Sequence, residues 1–419
     1  YYEKNLPAFK DNVTDENSND YDALKSDLIN AASKVSNEVE CFKTITYYVE
    51  FFKDNHSKIS MNSVNINTEE KTEVETFLNS ELYLSRETYN LTEADLKQYP
   101  ESDIRGLYKT ASGTYTIALI PNKGLLRDYI GVIVDSKTKL WKRGQVKLEV
   151  KLTEDGNNIA FVYMMNHSLK YYNRFPLNNG ILGDGWFKTT KQEFINPALN
   201  HDQKFDIKKI GDSITYLRIS TFSGHETARI NELYKKAKPL ISSRPYLIID
   251  VRNNGGGSDS NAYPLLEYMY TNPISSDKVG LFVTKDNIKM WESWYANISK
   301  DTINYSLETR TWFKDQIEGM KQTKLNSYMI RSSGETLELD SILDTPKKIA
   351  IIQNRYCASS CETLLFWAKE SNKTILVGEN SGGYVGYGEV GNLKTPCYSF
   401  DLFSTMTRYE EQRKYEVDG

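Results

Sequence analysis

The stretch Tyr246-Leu247-Ile248-Ile249-Asp250-Val251-Arg252-Asn253-Asn254-Gly255-Gly256-Gly257 decides how the chain reads. Its first six residues form an apolar run of the kind that fills a strand buried on both faces of a parallel sheet. Three glycines end it, and residues without Cβ let a backbone turn through positive φ and approach a neighbour closely. A helical pattern carrying Leu265, Leu266, Tyr268 and Met269 follows. Upstream, Ile214 to Ser220 reads as a strand and Glu226 to Ala237 as a helix. Downstream come a strand over Ile349 to Gln353, a helix over Ser360 to Lys369 and a strand over Thr374 to Val377. Such strand–turn–helix units predict a layered α/β core over residues 206–419. An aromatic-rich, partly helical insertion at about 275–345 interrupts it, with Trp291, Trp294, Trp312 and Phe313.

Residues 84–205 have a different texture. Thr114 to Ile120, Tyr129 to Val134, Val146 to Leu152 and Ile159 to Tyr163 look like strands. Pro121-Asn122-Lys123-Gly124, Asp135-Ser136-Lys137 and Asp155-Gly156-Asn157-Asn158 separate them with turn chemistry. A β-rich module, barrel or sandwich, is expected. Before it, Leu24, Leu28, Ala31, Val35, Val39, Phe42, Ile45, Val49 and Phe52 recur at spacings of three and four, one face of a helix or of two in series. That pattern stops at Lys53-Asp54-Asn55-His56, and a short second helix fits 68–80. Residues 1–20 are polar, with Pro7, and read as a loose leader. The expected domains are thus a helical region (1–83), the β module (84–205) and the α/β core (206–419).

Composition narrows the function. The 419 residues carry 52 Lys+Arg and 56 Asp+Glu, a net charge of −4, without the basic surplus of a nucleic-acid binder. No run approaches the roughly 18 apolar residues of a membrane-spanning helix. Cys41, Cys357, Cys361 and Cys397 are too sparse for a disulfide scaffold and form no CxxC pair for zinc. Neither a metal nor an organic cofactor is called for. The chain starts Tyr-Tyr-Glu, and its lysine- and asparagine-rich composition suggests an exported bacterial protein (periplasmic, cell-surface or secreted) whose leader is absent here.

The strongest chemical signal is Asn354-Arg355-Tyr356-Cys357-Ala358-Ser359-Ser360-Cys361-Glu362, where a buried strand turns into a helix. Ser359 can be exposed there as a nucleophile, with the Ser360 N–H and the helix dipole facing a developing oxyanion. The plain alternative is that a serine simply caps the helix. The triple-glycine turn can supply a second N–H. A phosphate cradle is the rival, but Ser258-Asp259-Ser260 lacks the lysine of a P-loop. Four histidines could serve as base: His56, His167, His201 and His225. His167 and His201 read as surface residues, and chemistry alone leaves His56 and His225 open.

Taken together, YLIIDVRNNGGG, NRYCASSCETLLFWAKE and TILVGENSGG resemble peptidase family S41, the C-terminal processing and tricorn-type serine peptidases. The resemblance implies a crotonase-like (ClpP/crotonase) spiral core. The family's DLR-N-x-GG turn matches Asp250 to Gly257, its S-A-S-x-E segment matches Ser359-Ser360-Cys361-Glu362, and its V-G-E matches Val377-Gly378-Glu379. Ser359 is the implied nucleophile. The branch that uses a lysine base would carry it where this chain has Tyr384. The tricorn-like branch places a histidine in D-x-H-T/S, which Asp54-Asn55-His56-Ser57 matches, implying His56 as base. Its acidic member lies in E-x-x-G, which Glu416-Val417-Asp418-Gly419 fits; the chain stops before the tail that follows in the family, as though a longer protein were cut there. The implied oxyanion donors are Ser360 and Gly256, with Gly255 adjoining. No carboxylate-binding Gly-loop of a PDZ domain is evident in 84–205. The expected activity is a Ser–His–Glu endopeptidase acting on peptides or unfolded protein. Two rivals share the fold: a catalytically silent binder of an apolar ligand or peptide, and a crotonase-like acyl-CoA enzyme.

Overall fold

The computed structural model describes residues 1–61, 65–124, 126–153, 156, 158–183, 185–190, 204–396, 398 and 400–416. Its opening residues are packed, contrary to the loose leader expected from their polarity. Tyr2–Asn5 (α1) and Pro7–Asn12 (α2) are helical turns, the second entered at a proline whose fixed φ suits the first helical position. Tyr2, Leu6 and Ala8 are buried, and the Tyr2 hydroxyl donates to the Phe403 carbonyl at 2.6 Å. The long helical pattern resolves into two helices, Ser18–Ala32 (α3) and Glu38–Glu50 (α4). Asn37 restarts the second by accepting the Glu40 N–H at 3.0 Å. Lys58–Ser60 (β1), Lys71–Leu78 (α5) and Glu81–Leu84 (α6) complete this part.

The β module is one antiparallel sheet. Its strands are Gly106–Thr110 (β2), Tyr115–Gly124 (β3), Arg127–Ser136 (β4), Val146–Lys151 (β5), Ile159–Tyr163 (β6), Leu169–Tyr172 (β7), Leu177–Asn178 (β8), Ile181–Leu182 (β9) and Trp186–Lys188 (β10). They are ordered β7-β6-β5-β4-β3-β2-β10-β9-β8. The sheet and the N-terminal helices share one apolar core, in which Phe42, Val49 and Phe52 join Ile117, Leu119, Val132, Leu148 and Phe161. His167 is not a surface residue. It is fully buried, stacked on Trp141 with centroids 3.8 Å apart, with Nε2 at 2.8 Å from the Leu140 carbonyl. Its polar neighbours Asn166 and Ser168 hid this in the sequence.

The α/β part follows as Phe205–Ile210 (β11), Ile214–Ile219 (β12), Thr227–Ser242 (α7), Tyr246–Asp250 (β13), Asp259–Ala262 (α8), Leu266–Met269 (α9), Ile274–Ser275 (β14), Lys278–Val283 (β15), Lys285–Ile298 (α10) and Leu307–Gln322 (α11). Then come Ser327–Ser333 (β16), Thr336–Leu337 (β17), Lys348–Gln353 (β18), Ser360–Lys369 (α12), Thr374–Gly378 (β19), Tyr387–Gly388 (β20), Gly391–Lys394 (β21), Asp401–Ser404 (β22) and Thr407–Tyr409 (β23). The central sheet is ordered β11-β12-β13-β18-β19 and is parallel except for the β11–β12 hairpin. Leu247, Ile249, Ile349 and Ile351 fill its core with Leu364 and Leu365 of α12.

The aromatic insertion is more sheet than expected. β15 and β16 belong to a four-stranded antiparallel sheet, β16-β15-β23-β20, and α10 and α11 pack around buried Trp291 with Leu281, Ile317 and Met320. The aromatic residues therefore build a satellite core. A three-stranded sheet, β1-β22-β21, pairs Ile59 with Leu402 and so draws the segment after α4 beside strands near residue 400. Among the described residues no helix is long and apolar enough to cross a membrane.

Candidate active site

β18 leads through residues 354–358 to Ser359, and α12 begins at Ser360. Ser359 sits at φ +57°, ψ −124°, a conformation L side chains rarely adopt and one that costs on the order of 1–3 kcal/mol. Glu362 holds it there: the Ser359 N–H donates to Glu362 Oε2 at 2.8 Å, and the Glu362 N–H donates to the Ser359 carbonyl at 2.6 Å. Ser359 does cap the helix, but on a backbone unlike that of an ordinary cap.

The glycine turn lies directly against it. The Ala358 N–H donates to the Asn254 carbonyl at 3.0 Å, the Asn253 N–H to Asn354 Oδ1 at 3.0 Å, and the Cys357 thiol to the Val251 carbonyl at 3.1 Å. Gly256 has φ +86°, and a Cβ there would lie 2.5 Å from the Ala358 carbonyl oxygen, 2.8 Å from Ser359 Cβ and 2.9 Å from the Ser360 nitrogen. No side chain fits. The Gly256 N–H donates to Asn254 Oδ1 at 2.9 Å, so in this structure it is already engaged, while Gly255 is exposed with open space around it. Ser360 stands at the first helical position, where no intrahelical carbonyl is available to its N–H. Below the turn, buried Asp250 accepts from Arg218 (3.0 Å), Arg252 (2.7 Å) and the Tyr216 hydroxyl (2.8 Å). Burial opposes its charge, but these partners win and hold its carboxyl at about 2. It is an anchor for the turn.

His56 lies two residues before β1. Asp54 shapes its loop: Oδ1 accepts the His56 N–H at 3.0 Å, and Oδ2 accepts the hydroxyls of Ser57 and Thr405, each at 2.6 Å. Glu416 reaches in from the C-terminal side, and Oε1 accepts the Asn55 N–H at 2.8 Å. Ligand-type atoms of Asp54, His56 and Glu416 all lie within 4.8 Å of one another. Their carboxylates are already engaged by N–H and hydroxyl donors, which describes an acid–base group better than a metal cage. His56 Nδ1 is buried with no hydrogen-bond partner among the described residues. Burial, helped by nearby Lys58, lowers the imidazole to about 4, so it is neutral at neutral pH. Burial and the neighbouring Asp54 push Glu416 up to about 8, against the pull of its three N–H donors.

Residues 382–386 join the two halves. Glu362 accepts the N–H groups of Gly383 (2.7 Å) and Tyr384 (2.9 Å), and Glu416 those of Val385 (2.8 Å) and Gly386 (2.6 Å). The Gly382 N–H donates to the Cys357 carbonyl at 2.7 Å, and the Asn55 side chain to the Gly383 carbonyl at 2.8 Å. The Tyr384 ring meets His56 edge-on, centroids 5.1 Å apart. Ser359 and Ser360 thus lie against the turn of Gly256, Glu416 lies against the loop of His56, and this segment links the two groups. His225 is elsewhere, exposed on the turn Gly224–Glu226, and His201 lies outside the described residues. Cys357 and Cys361 are buried free thiols in the core. Two residues escaped a functional reading. Glu362 was signalled by its capping-box spacing from Ser359, whereas Asp54 had only its place beside His56.

Comparison with known proteins adds the following. The sequence profile of peptidase family S41 matches residues 213–419. No curated protein sequence matches significantly. Among solved structures, mature CPAF in complex with lactacystin is 12% identical, covering 97% of this chain and 87% of that one, with a TM-score of 0.46. The photosystem II D1 C-terminal processing protease is 11% identical, with shares of 90% and 78% and a TM-score of 0.32. A peptidase candidate from Parabacteroides merdae is 14% identical over 49% of this chain, with a TM-score of 0.29; the chain spans about half of it, 51%. At such identities and TM-scores none of these structures transfers a residue's role.

Proposed function

We propose that this chain, whose residues 213–419 match peptidase family S41, is a serine endopeptidase working through Ser359, His56 and Glu416. His56 takes the proton of Ser359 as Oγ attacks the substrate carbonyl carbon, and the imidazolium then returns it to the leaving amine. Water, deprotonated by the same ring, attacks the acyl-enzyme; its collapse releases the acid and returns the proton to Ser359. Glu416 holds the His56 loop through the Asn55 N–H and, once ionised, stabilises the charged form of the ring. The Ser360 N–H and a glycine-turn N–H face the oxyanion; Gly256 fits once its bond to Asn254 opens, with Gly255 adjoining. One observation carries this reading: buried glutamates from both halves hold four consecutive N–H groups of the linking segment, tying His56 to the turn of Ser359.

The tricorn-like assignment is supported by Tyr384, which packs on His56 where the lysine branch would carry its base. A crotonase-like spiral is supported by the parallel run β12-β13-β18-β19 with helices between its strands. Export fits the lysine- and asparagine-rich composition and is checked by cell fractionation. The catalytic reading is tested with a fluorophosphonate and mass spectrometry: Ser359 labels in the native chain and not in His56→Ala. Labelling at no serine would sink it.

A further inference from the structure

We propose that the cleft between the β module and the loop of His56 binds a small anion, a phosphate or a carboxylate, through the guanidinium of Arg174. The inference goes beyond the peptidase reading and does not need it, although the site adjoins groups that reading uses. The cleft encloses about 710 Å³, within the range of about 300–1,000 Å³ typical of small-ligand sites. Its walls come from three parts of the chain: Lys53 and Asn55 after α4, Ile159 and Arg174 of the β module, and Lys414 and Glu416 after β23. Arg174 follows β7 and is half-buried, with its Nε enclosed and without an acceptor among the described residues. No carboxylate there pairs with its head either. Half-buried Arg127 and Arg331, by contrast, each hold a glutamate at 2.7 Å, Glu87 and Glu389. A partly desolvated guanidinium without a partner is costly, and its planar fork fits a carboxylate or phosphate through two parallel bonds.

Acids line the cleft as well, but few of them oppose an anion. Glu410 is paired with Arg408 at 2.7 Å and with Arg413 at 3.0 Å. Burial pushes Glu50 up to about 7 and Glu416 up to about 8, so at neutral pH both are largely or partly protonated. Burial raises Asp54 too, and its oxygens already accept the hydroxyls of Ser57 and Thr405. Exposed Glu411 is then left against three cations, Lys53, Arg174 and Lys414, none of which has a carboxylate partner among the described residues. The balance is positive, which favours an anion and disfavours a metal ion or an amine.

The site connects to the base loop through one residue. Asn173, next to Arg174 and also in the wall, donates from its side chain to Asn55 Oδ1 at 2.8 Å. Asn55 in turn donates its N–H to Glu416 and its side chain to the Gly383 carbonyl, each at 2.8 Å. An anion that fixes residues 173–174 therefore braces the residue just before His56.

The test titrates inorganic phosphate, and separately citrate, into the whole chain at neutral pH and fixed ionic strength, read by calorimetry. At least one of the two should bind with a dissociation constant below about 1 mM, and which of them binds tells phosphate from carboxylate. Arg174→Gln should weaken that binding by at least about 10-fold, as loss of a charge-assisted contact does. Lys53→Gln, at an exposed site, should weaken it by a smaller factor, and Lys209→Gln on distant β11 should leave it unchanged. Saturating ligand should raise the melting temperature of the native chain more than that of Arg174→Gln, and slow amide exchange at Asn55 by about 10-fold. No binding of either anion up to about 10 mM, an equal response to sodium chloride, or binding that the folded Arg174 and Lys53 variants leave intact overturns the proposal. Binding that leaves Asn55 exchange unchanged overturns the bracing of the loop. An acidic peptide that binds where neither small anion does would make the cleft a groove for polypeptide and overturn the assignment. None of these readouts involves Ser359, so failure of fluorophosphonate labelling would sink the peptidase reading and leave this one standing.

Discussion

Ser359 keeps its unfavourable φ because Glu362 bonds it from both directions and the glycine turn leaves room for no other path. Gly256→Ala would set a methyl group 2.5 Å from the Ala358 carbonyl. It should lower the rate of Ser359 acylation by about 10²-fold or more, as loss of an oxyanion donor does, and reduce the melting temperature; native acylation kinetics in this variant would refute the close approach. The two titratable partners of the other turn make opposite claims on pH. His56, depressed to about 4, is a free base from mildly acidic pH upward, so the acid limb of kcat/KM should fall near 4 and not near 6.5. Glu416 is raised from 4.5 to about 8. Between those values the folded chain holds a proton that the unfolded chain has released, so this group's contribution to stability declines as pH rises through that window. Glu416→Gln should flatten the fall of melting temperature with pH there; a slope equal to the native one would count against the assignment.

Among the elements, the segment 382–386 has no regular structure and is fixed at both ends by buried carboxylates. Glu362→Gln turns an acceptor into a partial donor facing three N–H groups, and an unsatisfied buried group costs about 1–3 kcal/mol. Amide exchange at Gly383 and Tyr384 should quicken by about 10- to 100-fold, with a smaller change at Val385 and Gly386, which Glu416 holds. Equal acceleration at all four would mean the two ends are not independent. The helix Ser360–Lys369 and the strands Tyr246–Asp250 and Lys348–Gln353 were legible in the sequence because each is a long apolar run bounded by turn chemistry. β20 to β23 were not, since strands of two to four residues show no period. Nor was the clamped segment: its order comes from acids that are near only after folding. The aromatic helices were legible as helices, but the sheet packed against them was not.

Across the whole molecule, the three-residue strand β1 and the apolar core shared by helices and β module fix His56 relative to the rest. Ile59 is 3% exposed and pairs with Leu402. Ile59→Ala should therefore cost about 2–5 kcal/mol in denaturant unfolding and slow acylation of Ser359, which it does not adjoin in sequence. The same change at exposed Ile210 should alter neither, and equal effects at both sites would show that β1 is not what positions the base. This long-range closure could not be read from hydrophobic patterning, because strands of three and four residues so far apart in the sequence carry no local signature. Only resemblance to a family singled out His56, while the buried apolar strands announced the α/β core by themselves.

The Asn55–Glu416 bond spans 361 residues. At about 5–20 residues per second of synthesis, the ribosome would deliver the second partner roughly 20–70 s after the first. On the reading proposed above, the nascent chain carries His56 without Glu416 throughout that interval. Competence to cut then arrives only once residue 416 has been translated, so the order of synthesis itself protects the producing cell from an enzyme that lacks this acid.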